Sequence, residues 1–541
     1  MNNYKEKIWP IAKAVISVLT VLLTSLLMIK VAGLNVLPMK YFGLLALVVV
    51  FLLLVIIGLF YDFIYVKKIV EGLKAIKKTT EKDVNEKDLN KKEEKKVRKV
   101  VRKSALRGAA IVLSIVILVI DVVGIHAINK FEETMSDLLT DDNEVEEFII
   151  GVYVSVDDKA ENLEDAKRYD FGYSLAYDRN NTKKAIGVME TELDRNLSLE
   201  EYNDIASMVD AVLAEEKAGF ILSSSYMSIL EEQEAYVDLS DKVKCIHECV
   251  VTQETKVEQR EENPIEITKD TFIVYISGHD TTFAASRANS DVNILAVVNP
   301  TTKQVLLLNT PRDFYVPISV SEEGAMDKLT HCGIYGAECS MDTLNDFYDI
   351  DINYYAQLNF KGFVRLIDAI GGITVYSEKE FVSTSEGILI HKGTNHLNGE
   401  AALEFVRERK QFGDGDNARG RHQMAVIKGI IEKVASGSLL KNYDEILESM
   451  GKYFKCSLTQ EEITSLVKMQ LGDMAEWNVK SFAVTGTGAK EFCYALNASN
   501  YVMIPDEASV EHAKTLVQMV YDGEILEDED LEIPEEETSE K

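Results

Sequence analysis

The chain has 541 residues, 46 % hydrophobic and 27 % charged, with a formal net charge of −31. That length asks for more than one domain. Up to Asn129 there are 21 Lys/Arg against 10 Asp/Glu, and beyond it 37 against 79, so the larger part is too acidic for a surface that neutralises nucleic-acid phosphates.

In chain order, residues 11–29, 42–60 and 109–128 are apolar runs long enough to cross a bilayer core of about 30 Å. The segment 66–108 carries 16 Lys/Arg against 7 Asp/Glu, which by the positive-inside rule makes it a cytoplasmic loop. Residues 1–130 are therefore expected to be a three-span anchor with a cytoplasmic amino terminus and everything downstream outside the cell. Asp121 falls inside the third span, where a carboxyl is either functional or held neutral between helices.

After a polar, acidic stretch at 132–147, strand-like and helix-like runs alternate. Residues 148–154, 172–177, 185–189 and 218–223 read as strands and 199–216 as a helix, giving a small α/β accessory domain over 145–258. Its segment 208–222 resembles one lobe of a solute-binding protein, without a ligand set, so a spacer or protein-docking role is expected. A charged linker, 253–269, precedes a second domain at 270–523, and the acidic tail 524–541 lacks apolar periodicity and reads as disordered. All six cysteines lie in the exterior part. Cys332 with Cys339, Cys456 with Cys493 and Cys245 with Cys249 are the expected bridges in an oxidising compartment. No companion spacing supports zinc.

The chemistry concentrates in the second domain. A buried strand, Phe272-Ile-Val-Tyr-Ile-Ser-Gly-His-Asp280, is followed by a second that begins at Asp291 and a third that ends in Pro311-Arg312-Asp313. If these strands are neighbours, Asp280, Arg287, Asp291, Arg312 and Asp313 converge on one sheet edge, where open α/β sheets bind ligands. Asp280 and Asp291 are hard oxygen donors of the kind Mg²⁺ takes, or else turn residues bonded to backbone amides. Read as a strand, residues 405–410 put Arg407 and Arg409 on one face about 7 Å apart, a spacing that straddles a diphosphate. The alternative is surface pairing with nearby acids. Arg419 and Gln423, four apart at the start of a helix, share a face. Phe360, Phe363, Val364, Ile367 and Ile370 recur at helical spacing ahead of Gly371-Gly372, as core or as the wall of a lipid pocket. Neither a Ser/His/Asp triad, a Walker loop nor a His-Glu-x-x-His motif is present.

Taken together, Tyr275-Ile-Ser-Gly-His-Asp, Ser290-Asp-Val-Asn, Asn309-Thr-Pro-Arg-Asp, the segment from Phe360 through Gly372, His396-Leu-Asn-Gly-Glu-Ala-Ala-Leu and the run from Val406-Arg-Glu-Arg to Arg421-His-Gln423 resemble the LytR-CpsA-Psr family, over about residues 270–523. The resemblance implies an α/β chain: a membrane-anchored αβα catalytic domain that transfers a polyprenyl-diphosphate-linked glycan, teichoic acid or capsule-like, onto peptidoglycan at the outer face of the membrane. It implies Asp280 and Asp291 as Mg²⁺ ligands and Arg287, Arg312, Arg407, Arg409, Arg419 and Gln423 at the diphosphate, with Arg312, Asp313, Arg407 and Arg409 catalytic. Arg287 stands farther from Asp291 than in many members. The expected reaction is attack of a peptidoglycan hydroxyl on the sugar-linked phosphorus, with Asp313 or another carboxylate taking the proton. The rivals are hydrolysis of a lipid diphosphate and a non-catalytic, membrane-anchored glycopolymer sensor. No nucleic acid is expected as a partner.

Overall fold

The computed structural model describes residues 2–61, 108–130, 132, 143–175, 178–256, 265–279, 287–321, 323–413, 415–436 and 453–534. Two compact units result, one of Met1–Glu133 with Thr464–Asp473, the other of Thr134–Ile463 with Met474–Lys541. In the first, helices α1 (Asn2–Gly33), α2 (Met39–Tyr61) and α3 (Gly108–Lys130) are each long and apolar enough to span a bilayer, and they form a multi-pass anchor. Side chains such as Val18, Leu22, Leu47 and Val119 face outward, as a lipid solvent requires. Asp121 is buried between helices, where Thr24 Oγ1 donates to its Oδ2 at 2.6 Å. A satisfied polar contact of this kind holds helices together in hydrocarbon.

Among the described residues the second unit contains two large sheets and four two-stranded ones. The first uses β1 (Asn143–Ser155), β2 (Asp170–Ser174), β3 (Ser198–Tyr202), β4 (Gly219–Ser223) and β5 (Val243–Lys256) in the order β3-β2-β4-β1-β5. Helix α4 (Arg179–Glu192) covers one face, with Ala185 and Met189 packed on Ile150, Val152 and Phe171. Helices α5 (Ile205–Leu213) and α6 (Ser224–Leu230) cover the other, where Met208, Val209 and Ile229 meet Phe220 and Leu222. Two sequence assignments are corrected here. Residues 185–189 are helical, because Ala185, Ile186 and Met189 are buried at helical spacing rather than in alternation. The expected helix from 199 is instead β3 followed by α5, whose start is fixed by Asp204, its carboxylate accepting from Ser207 N.

The second sheet carries the site. Its six strands run Phe454–Cys456, Tyr354–Asn359, β6 (Phe272–His279), β7 (Val292–Asn299), β8 (Gln304–Asn309) and Asn478–Ala483. The β6–β7 and β7–β8 pairs are antiparallel hairpins and the next neighbours outward are parallel. Alternation sorts the side chains. Ile273, Tyr275, Leu295, Val297, Leu306 and Leu308 pack under Ala337–Tyr348 and Glu507–Tyr521. Ile294, Ala296, Val305 and Leu307 pack under Asp416–Ala435 through Met424 and Ile427. The result is an αβα sandwich.

The expected disorder from residue 524 is corrected for its first part. Leu526, an apolar residue among acids, is 1 % exposed. Its amide is held by Gln304 Oε1 at 3.2 Å, while Gln304 Nε2 donates to Glu524 O at 2.6 Å. Residues 535–541 lie outside the described ones. None of the expected disulfides is formed and all six cysteines are free thiols, although Cys332 and Cys339 lie in side-chain contact, as that pairing requires. Cys493 is buried beside Asp327 and Cys456 lies on an edge strand near Glu462, far from a shared bridge.

Candidate active site

The hairpin register brings the ends of the three central strands together. Gly278 pairs with Val292 and Asn309 with Ile294, and the Asp291 amide donates to Gly278 O at 2.8 Å. Asp291 therefore opens β7 beside the end of β6, and Arg312 follows β8 on the same edge. Arg312 Nη1 lies 2.5 Å from Asp291 Oδ1. Asp280 lies outside the described residues.

The arginines downstream reach this edge by another route than the sequence suggests. Residues 405–410 are not a strand. Asn398 caps a helix, Gly399–Arg407, through Ala401 N, and Arg407 is its last residue. The turn that follows is tied down by Glu408, whose carboxylate accepts from Thr384 N and Oγ1, both at 2.8 Å, and from Gln411 N at 3.2 Å. Burial alone would raise the Glu408 carboxyl, but these hydrogen bonds outweigh it and leave it below its ordinary value. With Glu408 turned inward, Arg407 and Arg409 both face out to the same cleft. The Arg407 guanidinium also sits 5.0 Å from the Phe360 ring, a cation–π contact.

Helix Asp416–Ala435 supplies the last two groups. Gly420 lets it approach the sheet edge: a Cβ there would sit 2.4 Å from Asn309 Nδ2. Arg419, beside that contact, donates from Nη2 to Asp291 O at 3.2 Å. His422 is core rather than chemistry, its ring 4.2 Å from Phe405.

These elements enclose a cleft of about 360 Å³ lined by Asp291, Arg312, Phe360, Thr384, Glu404, Arg407, Glu408, Arg409, Arg419 and Gln423, among others. Six of the residues singled out in the sequence thus share one cavity: Asp291, Arg312, Arg407, Arg409, Arg419 and Gln423. Phe360 walls it, whereas Ile367 and Ile370 from the same apolar stripe go to the core. Arg287 does not line it; its guanidinium stacks 5.1 Å from the Phe148 ring of β1. Asp313 does not line it either. It stands behind Arg312, 3.9 Å from Nε and 3.3 Å from Lys328 Nζ.

Behind the cleft is a charged layer that sequence reasoning missed. Arg312 Nη2 lies 3.6 Å from Glu232 Oε1, and Glu232 Oε2 is 2.6 Å from Lys328 Nζ and 3.5 Å from His331 Nε2. His331 Nδ1 is 2.6 Å from Asp327 Oδ1, and Ala495 N donates to Asp327 Oδ2 at 2.7 Å. Burial opposes each charge, but the partners win. Glu232 is held far below the carboxylate range by His331, Lys328 and Arg312, and Lys328 is held above its ordinary value by Glu232 and Asp313. His331 is raised to about 9 by Asp327 and Glu232. His279, buried at the end of β6, is pushed by burial to about 4 and is neutral near neutral pH. In the sequence, Glu232 was one acid in a polar run and Asp327, Lys328 and His331 followed no periodicity; only the spacing Asp327-Lys328-x-x-His331 was available as a signal.

Among known proteins, the chain is 34 % identical over 223 residues to the polyisoprenyl-teichoic acid–peptidoglycan teichoic acid transferase TagU of Bacillus cereus (strain AH820), covering 41 % of this chain and 70 % of the relative. It is 35 % identical over 201 residues to the protein of the same name from Enterococcus faecalis (strain ATCC 700802 / V583), covering 37 % and 65 %. The crystal structure of B. subtilis TagV aligns with a TM-score of 0.40 at 25 % identity, over 47 % of this chain and 98 % of that one. The LytR_cpsA_psr family model matches residues 236–518, more than half of the chain. By that match and these relatives, the chain belongs to the LytR-CpsA-Psr family of glycopolymer transferases.

Proposed function

We propose that this chain is a phosphotransferase that attaches a polyprenyl-diphosphate-linked cell-wall glycopolymer, teichoic acid or capsule-like, to peptidoglycan and releases polyprenyl phosphate at the outer face of the membrane. The observation that carries the reading is the convergence of Arg312, Arg407, Arg409 and Arg419 on one cleft beside Asp291 in a chain that is otherwise strongly acidic. Forked guanidiniums match phosphate oxygens in pairs, each charge-assisted contact contributing about 1.5 to 3 kcal/mol. The relatives' printed name, which describes transfer of teichoic acid from a polyisoprenyl carrier to peptidoglycan, supports the same reaction.

A peptidoglycan hydroxyl attacks the phosphorus next to the sugar, the bond to the bridging oxygen breaks, and polyprenyl phosphate leaves with that oxygen. The hydroxyl proton passes to a carboxylate of the cleft wall, for which Asp291 and Glu404 are the described candidates, Glu408 being turned inward to Thr384 and Gln411. Asp313, turned toward Lys328 and Arg312, orients the latter instead. Negative charge grows on the bridging oxygen and spreads over the phosphoryl oxygens, so fixed guanidiniums stabilise the transition state more than the ground state. Asp291 faces the cleft, with its backbone fixed by Gly278, two residues before Asp280. Among the described residues no cluster of three or more His, Cys, Asp or Glu could hold a metal, yet Mg²⁺ asks for only one or two carboxylates. Asp291, with Asp280 as the family resemblance implies, would hold it, the ion supplying charge neutralisation at the diphosphate. A multi-pass anchor suits a donor confined to the bilayer surface, since tethering raises its effective concentration.

The test is the full chain in detergent with Mg²⁺, a lipid-linked glycan diphosphate and peptidoglycan fragments. A covalent glycan–peptidoglycan conjugate is expected. Free glycan phosphate alone would mark a hydrolase, and donor binding without any product would mark a sensor.

A further inference from the structure

The accessory sheet is not a separate bead beside the transferase. Its core contains Ile334 and Ala495 of the αβα part together with Tyr153, Phe220 and Tyr226, so the two share one apolar interior. The turn after α6 extends from that core toward Arg312. It is closed by Glu231, whose Oε1 accepts from Ser240 N at 3.0 Å, and the next residue, Glu232, is 11 % exposed. Asn289 Nδ2 reaches Glu232 Oε1 at 3.4 Å. Glu232 lies outside residues 236–518, the span matched by the family model.

Three carboxylates flank the Arg312 guanidinium, of which only Asp291 is within hydrogen-bond distance, and Nε has no hydrogen-bond partner among the described residues. Asp291 holds Nη1 at 2.5 Å, Glu232 faces Nη2 at 3.6 Å and Asp313 lies 3.9 Å from Nε. Two of these come from the catalytic strands and one from the accessory domain. Building on the transferase reading above, we infer that Glu232 is a positioning residue, through which the accessory domain completes the active site by orienting Arg312 and anchoring Lys328 behind it. Glu232 does not line the cleft, so it acts through Arg312 rather than on substrate. It also neutralises part of the cationic layer, which restrains how tightly a diphosphate is held before reaction.

That dual role predicts a split no packing defect produces. Removing the charge should leave the cleft more cationic, so that ground-state anions bind more tightly, while Arg312 loses the geometry that serves the transition state. In the full chain, Glu232→Gln should bind inorganic pyrophosphate about threefold to tenfold more tightly and lower kcat for conjugate formation by roughly tenfold or more, with KM for the donor unchanged or reduced. Glu232→Asp, which keeps the charge at the cost of a methylene, should stay closer to wild type than the isosteric Gln on both readouts. If Glu232→Gln does not fold, the double variant E232Q/K328M removes the paired charges together. It should restore near wild-type pyrophosphate affinity and keep kcat low. Pyrophosphate affinity and kcat both within twofold of wild type, both falling together, or Gln outperforming Asp would each overturn the inference. A wild-type chain that forms no conjugate would sink the transferase reading, and pyrophosphate binding in the variants would still decide the role of Glu232.

Discussion

Arg409 offers a clean way to separate binding chemistry from folding. It is exposed, follows the end of helix Gly399–Arg407 and lines the cleft, so Arg409→Ala leaves no cavity and, among the described residues, strands no buried partner. Exposed substitutions of this kind change stability by about 0.5 kcal/mol or less. The loss falls instead on the diphosphate contact, about 1.5 to 3 kcal/mol for a charge-assisted hydrogen bond, which is roughly 10- to 150-fold in kcat/KM. Arg409→Lys keeps the charge without the fork and should recover only part of the loss. Arg407→Ala should cost somewhat more, because it also removes the contact to Phe360 at 5.0 Å, worth about 0.5 to 1 kcal/mol. The assay is steady-state conjugate formation with the lipid-linked donor, alongside Tm for each variant. An Arg409→Ala chain with wild-type Tm and kcat/KM within twofold of wild type would refute the assignment of this arginine to the diphosphate.

Gly420→Val should push helix Asp416–Ala435 off Asn309, where even a Cβ would sit 2.4 Å away; the expected cost is about 1 to 3 kcal/mol from overpacking, with activity falling further because Arg419 and Gln423 move with the helix. Leu526→Ala should lower stability by about 2 to 5 kcal/mol if the segment after residue 523 is packed as described, and a Tm equal to wild type would contradict that packing. His331 is raised from 6.5 to about 9 in the fold, so the folded state binds its proton more tightly than the unfolded chain. Its stabilisation is therefore fully present below about pH 6.5 and is lost as pH rises through about 9. Urea unfolding across that window should show stability declining toward alkaline pH, and His331→Gln should flatten the decline; an unchanged slope would count against the charged Asp327–His331–Glu232 relay.

What the sequence disclosed and what it withheld follow from how far each signal reaches along the chain. The three spans and the central strands β6, β7 and β8 were legible because burial writes itself into consecutive residues, as a run of about 20 apolar positions in one case and as short Val/Ile/Leu runs closed by Asn-Pro and Thr-Pro turns in the other. The hairpin register then followed from the turn, and with it the approach of Arg312 to Asp291. The accessory domain was harder. Ala185, Ile186 and Met189 make a short apolar cluster that suits a strand as well as a helix until its neighbours are known, and the switch from β3 to α5 depends on one capping residue, Asp204. Glu232 was beyond reach, because nothing local distinguishes it from Glu231 or Glu234; its role is set by Arg312, Lys328 and His331, which arrive from 80 to 99 positions downstream.

The two arginines at 407 and 409 show why a wrong local assignment still led to the right cavity. On a strand, alternation would put them on one face. In the fold, Arg407 ends a helix and Arg409 follows the extended residue Glu408, with φ −72° and ψ 123°. One extended residue between two others again turns the flanking side chains to the same side, and it sends its own side chain inward to Thr384 and Gln411. The geometry that matters is therefore confined to three residues, and it survives whether those three sit in a strand or just past a helix end. The buried Glu408 is what fixes it. Its side chain is bound by three donors, so the outward turn of Arg407 and Arg409 is a consequence of satisfying an interior carboxylate rather than of sheet pairing.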